Sequence, residues 1–496
     1  MRRGGSPRLG LAVATLALAL AACTTGPDYQ RPDVPLPAAW RGNAGDDAGL
    51  VNARWWQGFG DPALEALIDE AIDANQDLAV AAARIEQYAA RLGASESARY
   101  PTVGYAIGGT RELRSQERPN GLRPGQSPTL SNFELGGNVS WELDLWGRVR
   151  RSNEAARAEL LASQEARRGV MLTVVADVAA GYLKLLEIDQ RLALVEDKLA
   201  LRRKALALMD EKRKGGSATR LDVARLQSAV EEQAAALPEI RREMAVAEHT
   251  LAQLLGRPPG AIVRRSIDAL TLPSLPAGVP ADVLVRRPDV AAAEQALVAA
   301  NARIGVAKTA YFPTLSLLGA IGLAADDLQW LFAETARTAS LGAALAGTVF
   351  DGGRTAANVR ESEAVRAEAQ AQFVKLVQTA LLEVENALAT RVLADERETI
   401  GDRRVRALAD VRDLTRARLE GGQAQRIELF NAEIDLRDAE IARLEYRRDR
   451  LLAMVGVYKA MGGGWMREEE QRRDAATPER QARALVPADS TEQAPK

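Results

Sequence analysis

A strand, a tight turn and a very long helix occur twice along this chain at one fixed spacing. The first copy runs from Asn132 through Trp141-Glu142-Leu143-Asp144-Leu145-Trp146-Gly147-Arg148 into a helical run to about residue 210. The second runs from Ser340 through Thr348-Val349-Phe350-Asp351-Gly352-Gly353-Arg354 into one to about residue 420. Gly147 and Arg148 align with Gly353 and Arg354 at an offset of 206, and the same offset aligns Gly215-Gly216 with Gly421-Gly422. It then aligns Arg220-Leu221-Asp222 with Arg426-Ile427-Glu428. An ungapped offset held over about 80 residues marks a duplicated architecture.

The duplication extends upstream. Gln76-Asp77-Leu78 to Arg99 matches Pro288-Asp289-Val290 to Tyr311 at an offset of 212, and Tyr100-Pro101-Thr102-Val103 matches Phe312-Pro313-Thr314-Leu315. The offset therefore falls by six inside the strand pair, so the second connection is shorter by six residues. Length variation between paired strands points to an exposed loop.

The strands alternate. Val103, Tyr105 and Ile107 share one face. In the next strand Phe133, Leu135, Val139, Trp141, Leu143 and Leu145 share one face, and Asn132, Glu134, Asn138, Ser140, Glu142 and Asp144 the other. Such a sheet separates water from something apolar, either a soluble core or lipid. This strand taken alone fits a soluble core better; its neighbours reverse that. Strands are expected over about 101–111, 132–146, 312–322 and 340–351.

The helices are long. No proline falls between Pro128 and Pro238, so residues 152–210 can form a helix of roughly 90 Å. Leu185, Ile188, Leu192, Val195, Leu199, Leu206 and Met209 follow at threes and fours, broken only by Arg202. That is coiled-coil spacing. Gly215-Gly216 turns the chain, and a return helix runs from about Ala218 to Leu255. The second copy expects a helix over 355–420, a turn at Gly421-Gly422 and a return helix ending at Gly462-Gly463-Gly464. Asp61-Pro62 is a helix start, with a break near Asn75. The expected organisation is a signal peptide (1–22), an extended arm (23–60), a first repeat (61–255), a proline-rich linker (256–288), a second repeat (289–464) and a charged, disordered tail (465–496). Trp40, Trp55, Trp56 and Phe59 imply that the arm packs against something.

Composition narrows the chemistry. Hydrophobic residues are 47% of the chain but aromatics only 4%, which suits packed helices. A net charge of −2 gives no basic field for nucleic acid. One cysteine, Cys23, and one histidine, His249, exclude an internal disulfide framework and a Cys/His zinc site. They also exclude a Ser/His or Cys/His hydrolase unless His249 carries it; a surface or packing histidine is the simpler reading. No cofactor or metal is implied. Gly147 and Gly353 lack the glycine-rich, lysine-containing spacing of a phosphate loop and read as strand-to-helix turns, which Arg148 and Arg354 anchor.

The N-terminus addresses the chain to an envelope. Arg2, Arg3 and Arg8 precede an apolar run from Leu9 to Ala22, too short to span a bilayer as a helix. Leu20-Ala21-Ala22-Cys23 resembles a lipoprotein processing box, which would leave Cys23 as an acylated N-terminus. By resemblance to enterobacterial lipoproteins, Thr24 in place of an aspartate favours the outer membrane.

Four strands cannot close a barrel, and open sheet edges are not tolerated in a bilayer. Three chains together supply twelve strands, an even number with a wide lumen. The fold expected is mainly α with a transmembrane β part: a trimeric 12-stranded barrel continued by a long coiled-coil periplasmic tunnel. Both double-glycine turns then lie at its distal end.

From Cys23 to about Trp465 the chain resembles the TolC-like outer-membrane factors, in particular the lipoprotein branch paired with resistance-nodulation-division efflux pumps. The marks are the lipoprotein box, Gly26-Pro27-Asp28-Tyr29 with Pro32, and Trp55-Trp56 with Phe59 and Asp61-Pro62. They continue with Asp144-Leu145-Trp146-Gly147-Arg148, Gly215 with Arg220-Leu221-Asp222-Val223, Arg286-Arg287-Pro288-Asp289, Tyr311-Phe312-Pro313 and Phe350-Asp351-Gly352-Gly353-Arg354. The resemblance implies a homotrimeric, non-catalytic exit duct for drugs or other small toxic compounds. Its tip turns (Gly215, Gly216, Ser217, Gly421, Gly422) would be docked by a periplasmic membrane-fusion adaptor and served by an inner-membrane pump. It also implies a closed periplasmic gate of inward-facing acids, whose matching positions here are Glu428 and Asn431. Glu428 keeps a carboxylate and Asn431 does not. Three Glu428 side chains round a narrow axis would form an acidic ring; alternatively Glu428 is an exposed acid favoured by its helix dipole. The Tyr and Arg that lock the tip in some members fall at Leu419 and Ala424, so that lock is missing.

Two other functions compete: a duct for ATP-driven protein secretion, and a periplasmic lipoprotein enzyme acting on cell wall. The lipoprotein box and Arg286-Arg287-Pro288-Asp289 favour efflux, and the repeat leaves no separate catalytic region.

Overall fold

The computed structural model describes residues 24–41, 54–114, 127–274, 280, 286–462 and 465–476. The expected signal peptide, Cys23 itself, and parts of the first strand connection, of the linker and of the tail lie outside the described residues.

By internal contacts the chain forms two units, one within residues 1–32, 84–163 and 293–373, the other within 33–83, 164–292 and 374–496. The first carries a four-stranded sheet. Strands β1 (Thr102–Leu113), β2 (Thr129–Leu143), β3 (Thr314–Ala325) and β4 (Arg337–Ala346) lie in the order β1-β2-β3-β4, all neighbours antiparallel. The middle pair joins the two halves of the duplication. Strand bounds differ from expectation by one to five residues, most at β4, expected over 340–351. Pro313 has no N–H to donate, so the ladder stops at Thr314 opposite Ala346. Val349 and Phe350 are left exposed beyond it. The six-residue difference between copies falls partly on the strand itself, since β4 has 10 residues and β2 has 15.

Most helical packing is in the second unit. Helix α1 (Pro62–Ala74) starts at Asp61, whose Oδ1 accepts from the Ala63 N–H at 2.9 Å, with Pro62 at the first position. Asn75 interrupts it and caps α2 (Gln76–Ser97): its Oδ1 accepts from the N–H of Asp77 and Leu78, and its amide donates to the Leu254 carbonyl. The long helices are α3 (Arg148–Lys214) and α6 (Arg354–Glu420), each 67 residues; the return helices α4 (Arg220–Leu254) and α7 (Arg426–Ala460) have 35 each. Equal lengths in both copies are what a duplicated helical hairpin dictates. Helix α5 (Pro288–Thr309) repeats α2.

The heptad stripe of α3 is buried at Leu185, Ile188, Val195 and Leu199. Ile188 and Val195 cluster with Ile240 of α4 and touch Ile441 of α7. Trp55, Trp56 and Phe59 form a 3₁₀ turn and are buried against α1 and α3, with the Trp55 ring stacked on Tyr458 at 5.1 Å. Arg287 is also buried in this unit. It donates to the Ala460 carbonyl and pairs with Asp289 and Glu383, both at 2.7 Å. That pins the linker to the end of α7.

The tail was expected to be disordered from Trp465. Instead Trp465–Ala476 forms a helix, α8. Met466 is buried, and Glu469 is buried between Arg54, Arg472 and Arg473. Glu470 pairs with Arg167 and Arg168. A segment poor in apolar groups is held by paired charges, which composition alone does not reveal.

Candidate functional site

Directly opposed residues of antiparallel strands point to the same side, so the register joins the alternating faces of all four strands. Val103 faces Val139, which faces Gly319, which faces Leu341. Likewise Tyr105, Gly137, Ile321 and Ala339 form one row, and Ile107, Leu135, Leu323 and Arg337 the next. This face is large and apolar, yet exposed: Tyr105 is 85% and Leu341 91% exposed. The opposite face carries small and polar groups, as in the row Gly104, Asn138, Ala320 and Ser340 and the row Gly108, Glu134 and Ala324. A soluble sheet buries its apolar face; this one leaves it open along the full length of strands long enough to cross a bilayer. Both edge strands, β1 and β4, are exposed throughout except at Gly104.

Aromatic groups mark both ends of the sheet. At the helix end the Trp141 indole donates to the Arg99 carbonyl, and the Trp146 indole to the Pro313 carbonyl with its ring stacked on Phe312 at 4.7 Å. At the loop end Trp330 and Phe332 are exposed. Paired girdles of this kind sit at the two interfaces of a membrane.

The strand-to-helix turns differ in detail. At the first, Gly147 takes φ +81°, and both Asp144 oxygens accept from the N–H groups of Val149 and Arg150 at 2.9 Å. Arg148 donates twice to Glu142, at 2.8 and 2.7 Å. At the second, Gly352 and Gly353 take φ +65° and +90°, and Asp351 caps through the N–H of Gly353 and Thr355. The capping acid stands three residues before Gly147 but two before Gly353, so the role repeats while its register shifts. Arg354 is exposed. Arg151 holds the N-terminal arm: buried, it pairs with Asp28 at 2.7 Å and donates to the Thr25 and Gly26 carbonyls. Sequence reasoning missed this residue, although the arm motif around Asp28 calls for a cation.

The two tips are built alike. Ser217 N–H bonds the Lys212 carbonyl and Gly216 N–H that of Arg213; Gln423 and Gly422 repeat this with Arg418 and Leu419. Both are Schellman turns, with Gly216 and Gly422 at φ +76° and +71°. Gly215 and Gly421 each donate to the carbonyl four residues back. Each return helix then opens on a capping box: Thr219 with Asp222, and Gln425 with Glu428. Hydrogen bonds from the Thr219 hydroxyl and N–H hold the Asp222 carboxyl below its ordinary range. Glu428 Oε1 accepts from the Gln425 N–H at 2.9 Å, while Glu428 and Asn431 both remain exposed. The box spacing was legible in the sequence at Thr219-Arg220-Leu221-Asp222. The two tips touch: Lys212 Nζ donates to Gln425 Oε1 at 2.8 Å. His249 is exposed on α4.

A sheet with one lipid-type face, one wet face, two girdles and two unpaired edges is a share of a transmembrane β-barrel. With the paired helical hairpins it defines a subunit of an outer-membrane channel. The family model described as "Outer membrane efflux protein" matches residues 67–257 and 279–463, and the chain belongs to that family. Over 469 residues it is 34% identical to "Outer membrane protein OprJ" of Pseudomonas aeruginosa, covering 92% of this chain and 96% of that one. It is 31% identical over 459 residues to "Cation efflux system protein CusC" of Escherichia coli O6:H1, covering 91% and 97%. Among solved structures, the open-state outer membrane channel MtrE of Neisseria gonorrhoeae matches with a TM-score of 0.80 at 28% identity, covering 89% of this chain and 99% of that one. The chain is thus the outer-membrane channel component of an efflux system, a transport conduit built as a trimer in which four strands per chain complete the barrel.

Proposed function

We propose that this channel is the passive exit duct of a tripartite pump for drugs or other small toxic compounds, lipid-anchored at Cys23. A periplasmic membrane-fusion adaptor docks on the tip turns at Gly215–Ser217 and Gly421-Gly422, and an inner-membrane resistance-nodulation-division pump supplies the energy. The observation that carries this is the two-faced sheet with open β1 and β4 edges, which only assembly completes. Exposed backbone at both Schellman turns supports a docking role for the tips, and the small residues there leave room for close approach. The lipoprotein reading rests on Leu20-Ala21-Ala22-Cys23.

Glu428, with Asn431 one turn on, forms the periplasmic gate. Its carboxylate is held by one oxygen in the capping box and is otherwise exposed, so three copies round the axis present an acidic ring. Capping and gating are separable by experiment. The unheated, detergent-extracted protein is weighed, and its conductance measured in planar bilayers. A trimer of small conductance that rises in Glu428→Ala, but not in Asp222→Ala, supports the gate, because Asp222 is the capping acid of the other tip. An equal rise in both variants makes the effect one of lost caps. A stable monomer soluble without detergent in Cys23→Ala overturns the duct.

A further inference from the structure

The two helical hairpins share one backbone plan but not one charge. Helices α3 and α6 are equal in length, as are α4 and α7, and both tips close with the same Schellman turn and capping box. Around the first tip, residues 202–225 carry eight cationic side chains against three acidic ones. Around the second, the matching residues 408–431 carry four of each. At the offset of 206, Lys204 matches Asp410 and Lys214 matches Glu420, while Arg203, Arg213 and Arg225 match Ala409, Leu419 and Asn431. In a chain of net charge −2, the first tip is a basic end.

The duplication serves as an internal control. Cations near a helix C-terminus are favoured by its dipole, and Lys212, Arg213 and Lys214 end α3. Yet α6 ends in the same turn on Leu419 and Glu420. The backbone therefore does not require the surplus charge. Neighbouring carboxylates do not absorb it either. Arg203, Lys204, Arg213, Lys214, Arg220 and Arg225 are all exposed. Arg213 and Lys214 share one carboxylate, that of Asp210, at 3.0 and 2.8 Å. Arg225 acts on Asp222, whose carboxyl already accepts from Thr219. Arg203, Lys204 and Arg220 have no ion-pair partner among the described residues.

We propose that the α3–α4 tip, and not the α6–α7 tip, is the charged docking face of this chain, and that it takes a carboxylate-rich protein surface. The inference rests on the adaptor docking proposed above and names the chemistry of that partner. Complementary potentials steer and orient an encounter, and guanidinium forks pair with carboxylate oxygens two at a time. The placement of the charges selects a protein over a membrane. Arg203 stands twelve residues before Gly215, about 18 Å along the helix from the turn. The cations thus continue up the flank of the hairpin. A bilayer met end-on touches only the turn, whereas a partner lying alongside reaches the flank.

The test places the photo-crosslinker p-benzoylphenylalanine at Ser217 or at Gln423 of the full chain in its native cells and sequences the captured peptides. The Ser217 position is expected to capture a periplasmic protein segment with more Asp and Glu than Lys and Arg. Arg203→Gln/Lys204→Gln/Arg220→Gln should cut that adduct about tenfold, since three exposed charge pairs are lost. Arg418→Gln/Arg426→Gln should leave it unchanged. In the opposite direction, Ala409→Arg/Asp410→Lys/Glu420→Lys should raise capture of the same segment at Gln423, a readout that holds even where the first variant does not assemble. A captured segment without acidic excess, or an adduct that responds to neither set of substitutions, overturns the proposal. Capture of phospholipid in place of protein makes the tip a membrane contact and also overturns it. No adduct at either turn fails the docking reading itself.

Discussion

The Tyr182 hydroxyl donates to Asp61 Oδ2 at 2.7 Å, and both groups are buried. Burial, with the neighbouring Asp61 charge, raises the tyrosine well above its ordinary range, so it stays a donor at all working pH. Tyr182→Phe leaves a buried carboxylate oxygen without this partner and should cost about 1–3 kcal/mol, seen as an earlier loss of helical circular dichroism on heating. Glu469 behaves oppositely. Burial pushes its carboxyl up, but hydrogen bonds from Arg472 and Arg473 and the Arg54 charge outweigh that and hold it below its ordinary 4.5. A folded-state pKa below the unfolded one gives stability that is complete above about pH 4.5 and is lost as pH falls through the depressed value. Proteolysis of the α8 segment should therefore accelerate only in acid; a rate independent of pH between 6 and about 3, a range spanning the usual glutamate titration, would count against the pairing.

Among the elements, the helical hairpins are specified most locally. Gly216 and Gly422 adopt left-handed backbone, which an added Cβ strains although nothing lies within 4 Å of it. Gly216→Ala and Gly422→Ala should each cost about 1–2 kcal/mol, from backbone strain alone. Faster amide exchange at the altered tip, with the other tip unchanged, is the expected readout. Helix starts at Pro62, the break at Asn75 and both double-glycine turns were legible because each is a short-range signal. Helix α8 was not, since its hold comes from Arg54, Arg167 and Arg168, hundreds of residues away.

At the scale of the whole molecule, the sheet predicts its own surroundings. Ile107 and Ala106 are neighbours on opposite faces of β1. Lysine at a lipid-facing mid-membrane position costs about 2–4 kcal/mol, so Ile107→Lys should reduce the heat-resistant trimer in the outer membrane. Ala106→Lys points to the lumen and should assemble normally while lowering the preference for cations in bilayer conductance. Similar yields from both variants would reverse the assignment of faces.

Much of this protein is written along the chain. The duplication, the alternation of Phe133 to Leu143, the heptads of α3 and the count of four strands follow from patterns a few residues long, and closure by three chains follows from the bilayer's intolerance of open edges. Tertiary structure alone decided the rest. It set the register that aligns Val103, Val139, Gly319 and Leu341 on one face, ended β4 against Pro313, seated the arm on Arg151 and ordered α8 by buried charge. It also engaged one oxygen of Glu428 in a cap. The physical reason is separation: local sequence sets what each segment can become, whereas register and buried ion pairs depend on groups that meet only after folding.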